Sequence, residues 1–132
     1  MLPKISEDPF HMNLLADFLI PDLTYLQELS GGDIEFEIEM LETYEEEVPQ
    51  HINRIEEYLE KVSWISLSEE FHSLKSKLSI LGFKHIYQMA DVLEEQCKNP
   101  DELNEVKHST PDLCKMLKET LEIANKEFQK RL

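Results

Sequence analysis

One histidine of this chain, His72, has neighbours whose types and spacing suit nucleophilic chemistry. Lys75 follows it by three residues, about one helical turn, so both side chains are predicted on the same side of a helix. Ser68 and Ser79 are predicted on this side as well, and the intervening Ser76 is small. A neutral imidazole is nucleophilic near neutral pH because its ordinary pKa is about 6.5. The segment therefore predicts an approachable imidazole with a cation beside it.

The charge around His72 differs from that of the whole chain. The 132 residues include 13 Lys and Arg and 28 Asp and Glu, a formal net charge of −15, yet residues 71–90 contain no Asp or Glu. Lys75, Lys77 and Lys84 all lie in this stretch. We therefore expect it to hold an anion on His72 and to attract an acidic partner. The acidic chain as a whole argues against binding to nucleic acids or to anionic membrane surfaces.

The helix that carries His72 is predicted from its apolar residues and its ends. Ser66 and Glu69 have the spacing of a capping box at its start, and Gly82 follows its end at Leu81. Five apolar side chains fall within about 80° of one another on a helical wheel, which predicts a core-facing stripe. They are Leu67, Phe71, Leu74, Leu78 and Leu81.

The rest of the chain also predicts helices, because it is 41% hydrophobic and has only three glycines. We expect helices near residues 22–29, 33–61 and 84–98, with a kink or brief break at Pro49. A last helix is expected after Thr110-Pro111, with 101–109 a helical turn or a loop. The predicted fold is all-α: an antiparallel four-helix bundle with a short additional N-terminal helix. Residues 1–21 are expected to form a partly flexible lead-in and 22–132 the bundle domain.

The segment HSLKSKLSILG at residues 72–82 resembles the signature of histidine-containing phosphotransfer (HPt) domains. That signature is His-x-Leu-Lys-Gly-Ser-Ser, with a further Gly ten residues after the His. The resemblance extends upstream through residues 26–33 and Trp64, extends downstream through Leu93-Glu94, and covers about residues 22–128. Two positions depart from it: Ser76 replaces the Gly that follows the Lys, and Lys77 replaces a small residue. Neither is expected to block His72, since Ser76 is small and Lys77 is predicted on the opposite side of the helix.

The resemblance implies an intermediate of a multistep His–Asp phosphorelay. His72 would accept a phosphoryl group from a receiver-domain aspartate and pass it to another receiver, and Lys75, as an exposed cation, would offset the phosphoryl charge. Ser76 and Ser79 would lie beside the site, and Gly82 would end the helix. The expected partners are response-regulator receiver domains, including those of a hybrid histidine kinase. The chain would be a phosphocarrier rather than an enzyme and would bind no cofactor, because Mg²⁺ and the acidic pocket belong to the receiver.

Two other functions are compatible with the residues. Glu69/His72 and Glu105/His108 both have the Glu-x-x-His spacing of di-metal carboxylate bundles. A non-phosphorylated adaptor that only binds receivers is the other alternative. Ile80 and Phe83 are candidates for a docking patch, although core packing is the favoured interpretation of Phe83.

The remaining features predict an ordinary cytoplasmic monomer. The sequence shows no signal peptide and no apolar run long enough to span a bilayer. Cys97 and Cys114 have no framework spacing and are interpreted as reduced, buried or semi-buried thiols. The other histidines are interpreted as surface or core residues: His11, His51, His85 and His108.

Overall fold

Four long helices form a ring in the computed structural model, which describes residues 19–132. Short turns join successive helices, so neighbours run antiparallel, and the last long helix packs against the first to close the ring. The described residues contain no strand, and the predicted all-α bundle with a short additional helix is confirmed. The predicted lead-in lies almost wholly outside the described residues, as does His11. The elements are α1 (Thr24–Ser30), α2 (Ile34–Glu60), α3 (Trp64–Ile80), α4 (Lys84–Gln96), a 3₁₀ turn (Pro100–Glu102) and α5 (Leu103–Lys130).

The core of the bundle is built from the apolar stripes of these helices. All five side chains of the predicted α3 stripe are at most 1% exposed. Tyr44 of α2 is also buried, and its hydroxyl donates a hydrogen bond to Thr120 of α5 at 2.7 Å. Burial raises the pKa of Tyr44 above its usual value, so this hydroxyl remains a donor. The stripe fixes which face of α3 points inward and therefore which face is left for solvent.

The turn between α2 and α3 is shorter than the sequence suggested. Val62 adopts a left-handed conformation with φ 49°, and the Ser63 N–H donates to the Tyr58 carbonyl at 2.9 Å. This pair of features ends α2 within two residues, as in a Schellman motif. Helix α3 consequently begins at Trp64, which places Ser66 inside the helix. The predicted capping box at Ser66 is wrong, because the backbone reversal at Val62 starts the helix earlier.

Neither internal proline interrupts its helix. Helix α2 runs through Pro49 without the expected break, and α5 runs through Pro111. The prediction that the last helix starts after residue 110 is wrong, since α5 begins at Leu103. Asn99 starts the preceding turn by accepting the Asp101 N–H at 3.0 Å. The first turns of α5 carry buried residues such as Val106, and this packing keeps them helical despite the hydrogen bond that the proline removes.

The turn between α3 and α4 is centred on Gly82. Gly82 has φ +68°, and the Phe83 N–H donates to the Leu78 carbonyl at 3.0 Å, so α3 ends here as predicted. The chain entering α1 lies directly against this glycine, and the Asp22 N–H donates to the Gly82 carbonyl at 3.1 Å. Lys84 adds an ion pair with the Asp22 carboxylate at 2.9 Å. The end of α3 is therefore fixed by α4 and by the segment before α1.

Two buried polar groups lie away from this turn. His51 of α2, which is 3% exposed, is hydrogen-bonded through Nδ1 to Glu70 of α3. The second oxygen of Glu70 accepts a hydrogen bond from Arg54 Nε at 2.9 Å. His51 is therefore a satisfied core histidine, in agreement with its interpretation from the sequence.

The two cysteines are free and buried, as predicted. Burial raises the pKa of both thiols, Cys97 and Cys114, to about 12. Both therefore carry a proton near neutral pH and act as small apolar groups in the core.

Replacing Gly82 with alanine should destabilise the bundle, since the added Cβ would lie 1.9 Å from the Asp22 carbonyl oxygen. Gly31→Ala is the matched control, because Gly31 has a similar φ of +58° and open space around the added Cβ. We expect Gly31→Ala to lower the free energy of unfolding by about 1 kcal/mol, through backbone strain alone. Gly82→Ala should lose at least about 2 kcal/mol more, from the clash and the lost hydrogen bond. Urea denaturation of both variants checks this, and equal losses would show that the contact with Asp22 is unimportant.

Candidate functional site

His72 stands on the outer face of α3, where the geometry of the helix places it. Its neighbours Phe71 and Leu74 are fully buried, which holds α3 in one rotation about its axis. The His72 side chain is 72% exposed in that rotation. The sequence pattern had predicted an imidazole at the edge of the core that reaches solvent, and the structure places it there.

A carboxylate that the local sequence did not reveal meets the imidazole. Glu94 of α4, whose side chain is 11% exposed, has Oε2 at 3.0 Å from His72 Nδ1. A carboxylate can only accept a hydrogen bond, so in the neutral ring Nδ1 must carry the proton. The lone pair is then on Nε2, the nitrogen on the far side of the ring from Glu94. This contact therefore determines which nitrogen of the neutral His72 ring keeps its lone pair.

Lys75 is held by the same carboxylate and by a second one. Its Nζ lies 2.8 Å from Glu94 Oε1 and 2.8 Å from Asp91 Oδ1, and 5.6 Å from the centre of the Tyr87 ring. Hydrogen bonds to Asp91 and then to Glu94 raise the pKa of Lys75 above its usual value. The Lys75 side chain is only 14% exposed. The expectation of an exposed cation is wrong, because α4 packs over the stem of this side chain and pairs its charge.

Glu94 is ionised at neutral pH although it is buried. Burial opposes its ionisation, but the hydrogen bonds and charges of Lys75, followed by those of His72, outweigh burial and hold the pKa below its usual value. The backbone of Glu94 is also fixed, since the Ser68 hydroxyl donates to its carbonyl oxygen at 3.1 Å. Ser68 is 7% exposed, so its predicted place on the solvent-facing side is wrong. It packs under α4 and helps to hold the residue that orients His72.

The acid-free stretch of sequence does not give an acid-free site. That stretch ends at residue 90, immediately before Asp91, and the α3–α4 hairpin folds two acids back against it. His72 and Glu94 each lie eleven residues from Phe83 in the turn, and Lys75 and Asp91 each lie eight residues from it. An antiparallel hairpin brings such equidistant positions together. These equal distances from the turn are the feature of the sequence that indicates the contacts of His72 and Lys75 with acids of α4. A count of charges along the chain does not reveal it.

The other predicted site residues line the same face without touching the imidazole. Ser76 is exposed, and its hydroxyl donates to the Ser73 carbonyl at 3.0 Å within its own helix. Ser79 is exposed further along this face, and Gly82 lies in the turn. Lys77 pairs with an α2 carboxylate at 3.4 Å and therefore lies away from His72, as expected.

An open groove of about 490 Å³ adjoins the site where α1 meets α3 and α4. Tyr87, the ring nearest Lys75, forms part of its wall together with Ser79, Tyr25 and Lys84. Tyr25 is 47% exposed. Phe83 is fully buried, which confirms core packing over docking for this residue.

A di-metal centre is not favoured by the structure. Glu69, His72, Glu105 and His108 are all exposed, whereas the ligands of di-metal bundles project into the core. Within residues 19–132, no group of three or more His, Cys, Asp and Glu side chains is arranged to hold a metal ion. None of the helices in this range is long and apolar enough to cross a membrane.

Comparison with known proteins agrees with the geometry. Residues 39–126 match the family model of the Hpt domain, which is two thirds of the chain. The chain belongs to the Hpt domain family. The matched range of this Hpt domain includes His72, Lys75, Asp91 and Glu94. Histidine phosphotransfer within a His–Asp phosphorelay is the function that this membership supports.

One curated relative has a related description. The phosphorelay intermediate protein rdeA of Dictyostelium discoideum is 28% identical over 109 residues, which cover 83% of this Hpt domain chain and 42% of the relative. The chain therefore spans less than half the length of that relative. No solved structure matches the chain.

The depressed pKa of Glu94 predicts a pH-dependent contribution to stability. A carboxyl whose pKa is lower in the folded state stabilises the fold above its unfolded value, 4.5, and loses that contribution as the pH falls through the folded value. Glu94→Gln should therefore cost about 1–2 kcal/mol at pH 7 and much less at pH 3. Urea denaturation at both pH values measures this. Glu95→Gln is the control, since Glu95 is 69% exposed and should cost little at either pH. A cost for Glu94→Gln that does not change with pH would contradict the assignment.

Proposed function

We propose that this Hpt domain carries a phosphoryl group on His72 between receiver domains of a multistep phosphorelay. The proposal is carried by the environment of the His72 ring. Its Nδ1 donates a hydrogen bond to Glu94 at 3.0 Å, while the side chain remains 72% exposed. The ring is thus fixed in one tautomer and still open to a partner. Family membership supports the same role.

The proposed transfer requires one nucleophile and no removal of a proton from the ring. The Nε2 lone pair attacks the phosphorus of the aspartyl phosphate on the receiver. As the N–P bond forms, the P–O bond to the aspartate breaks and its electron pair stays on the carboxylate oxygen. The ring becomes positively charged and keeps its proton on Nδ1, facing the Glu94 carboxylate. Glu94 therefore stabilises charge that appears during the reaction. Onward transfer is the reverse reaction with a second receiver.

Lys75 serves the phosphoryl group in this proposal. Its ammonium has three N–H donors: Asp91 accepts one in a hydrogen bond, and a second faces Glu94 Oε1 in an ion pair at 2.8 Å. The third is available to a phosphoryl oxygen on the same face of α3. The receiver supplies Mg²⁺ and the acidic pocket that activates the phosphoryl group, so this chain acts as a carrier and not as a complete enzyme.

The receiver is expected to dock over His72 and the adjoining groove. Tyr25 and Leu29 of α1, 47% and 46% exposed, provide apolar surface on the neighbouring helix. The proposed carrier acts as a cytoplasmic monomer. Its partners include receivers that are attached to a hybrid histidine kinase.

His72→Gln should abolish transfer. A receiver domain phosphorylated with acetyl phosphate in the presence of Mg²⁺ is mixed with the chain, and the acid-labile label on the chain is measured. The wild type should acquire label and His72→Gln should acquire none, because the amide of Gln is not a nucleophile. His108→Gln, which removes an exposed histidine on α5, is the matched control and should behave as the wild type does.

Each result of this assay has a defined meaning. Label on His72→Gln would show that the site assignment is wrong. A wild type that binds the receiver but never acquires label would replace the phosphocarrier with the receiver-binding adaptor. Circular dichroism of His72→Gln should match the wild type, because the replaced ring is mostly solvent-exposed.

Glu94 should influence transfer through the ring that it orients. Glu94→Gln keeps a hydrogen-bond acceptor but removes the charge, and should slow transfer about tenfold, the value of one charge-assisted hydrogen bond. Glu94→Ala removes the acceptor as well and should slow transfer further. Nitrogen-15 NMR of His72 should place the proton on Nδ1 in the wild type and show a mixture of tautomers in Glu94→Ala. A wild type with its proton on Nε2 would contradict the mechanism.

A further inference from the structure

The site holds more negative than positive charge before any phosphoryl group arrives. Among residues 19–132, Lys75 is the one Lys or Arg within 3 Å of Asp91 and Glu94, the two carboxylates of the site. Lys98 lies 4.0 Å from Glu94 and closer to Glu95, at 3.3 Å. With His72 neutral, the cluster of Lys75, Asp91 and Glu94 has a formal charge of −1.

The two carboxylates have different tasks because they have different contacts. Glu94 is 11% exposed and bridges His72 and Lys75, so it orients both side chains. Asp91 is 54% exposed and contacts Lys75. Its carboxylate accepts one ammonium donor and offsets the charge of the cation that lies one helical turn from His72.

We propose that Asp91 is a positioning residue that competes with the phosphoryl group for Lys75 and thereby lowers the stability of phosphorylated His72. This inference rests on the proposed function and deepens it. In the proposed function, a phosphoryl group on His72 brings about two negative charges to a site one helical turn from Lys75 and uses the ammonium that Asp91 already holds. With Asp91 present, Lys75 is shared among three anionic groups. Phosphorylated His72 is therefore less stable, and the chain transfers its phosphoryl group more readily to the next receiver.

The size of the effect follows from the exposure of Asp91. Two charges several ångströms apart at a solvated surface interact by about 1 kcal/mol, which corresponds to roughly a fivefold change in an equilibrium constant. Asp91→Asn should therefore shift the transfer equilibrium about three- to tenfold toward the phosphorylated chain. Asp91→Glu retains the charge and should remain close to the wild type.

The experiment measures how the label is distributed at equilibrium between the chain and the receiver domain that labels the wild type, with Mg²⁺ present. Glu95→Gln is the matched control: it removes one negative charge from the exposed face of α4 at a residue that pairs with Lys98 and not with Lys75. Lys75→Gln and the double variant Lys75→Gln/Asp91→Asn complete a double-mutant cycle. If Asp91 acts by competing for Lys75, Asp91→Asn should have little effect once Lys75 is replaced.

Three changes of the equilibrium would overturn the inference. They are equal shifts for Asp91→Asn and Glu95→Gln, an undiminished effect of Asp91→Asn in the Lys75→Gln background, and a shift toward the receiver. A change confined to the transfer rate, with the equilibrium unmoved, would also overturn it. Loss of all labelling in His72→Gln, together with any of these results, would leave the proposed function standing and remove the role of Asp91.

Discussion

The arrangement of His72 and Lys75 depends on the two contacts that the Glu94 carboxylate makes with them. One oxygen meets the imidazole and the other meets the ammonium, so a single side chain fixes the positions of two groups that lie one turn apart on another helix. Burying a carboxylate is costly unless its charge is compensated, and here one oxygen accepts a hydrogen bond from His72 while the other forms an ion pair with Lys75. The desolvation that this costs is offset by the same contacts that orient the His72 ring. The same contacts therefore stabilise the α3–α4 hairpin and fix the orientation of the His72 ring.

The bundle contributes a rigid helix face that leaves the reactive ring outside. The core stripe of α3 fixes its rotation, and Gly82 lets the chain turn directly into α4 while the segment before α1 packs against the turn. Because the His72 side chain is mostly exposed, a partner can reach the ring without a conformational change in the bundle. A preformed surface of this kind loses little conformational entropy when a partner binds.

Much of the fold could be predicted from the sequence because apolar spacing determines which face of each helix is buried. The α3 stripe and the exposure of His72 follow directly from that spacing. Helix ends were less predictable: Val62 turns the chain in a conformation that its residue type disfavours, and Val106 holds α5 together upstream of Pro111 through packing. The environment of Lys75 was missed for a related reason. Its partners, Asp91 and Glu94, lie on another helix, so their contribution depends on tertiary pairing that a count along the chain does not contain.

The equal distances from Phe83 make the length of the α3–α4 turn a constraint on evolutionary change. One extra helical residue at the start of α4 would shift the rest of that helix by about 1.5 Å and rotate it by about 100° relative to α3. Both carboxylates would then leave their partners together, and the apolar stripe of α4 would leave the core with them. A substitution in this hairpin changes the contacts of one position, whereas a change of length in its helices changes every pair of positions that face each other across it. The turn is therefore constrained in its residue count as well as in the identity of Gly82.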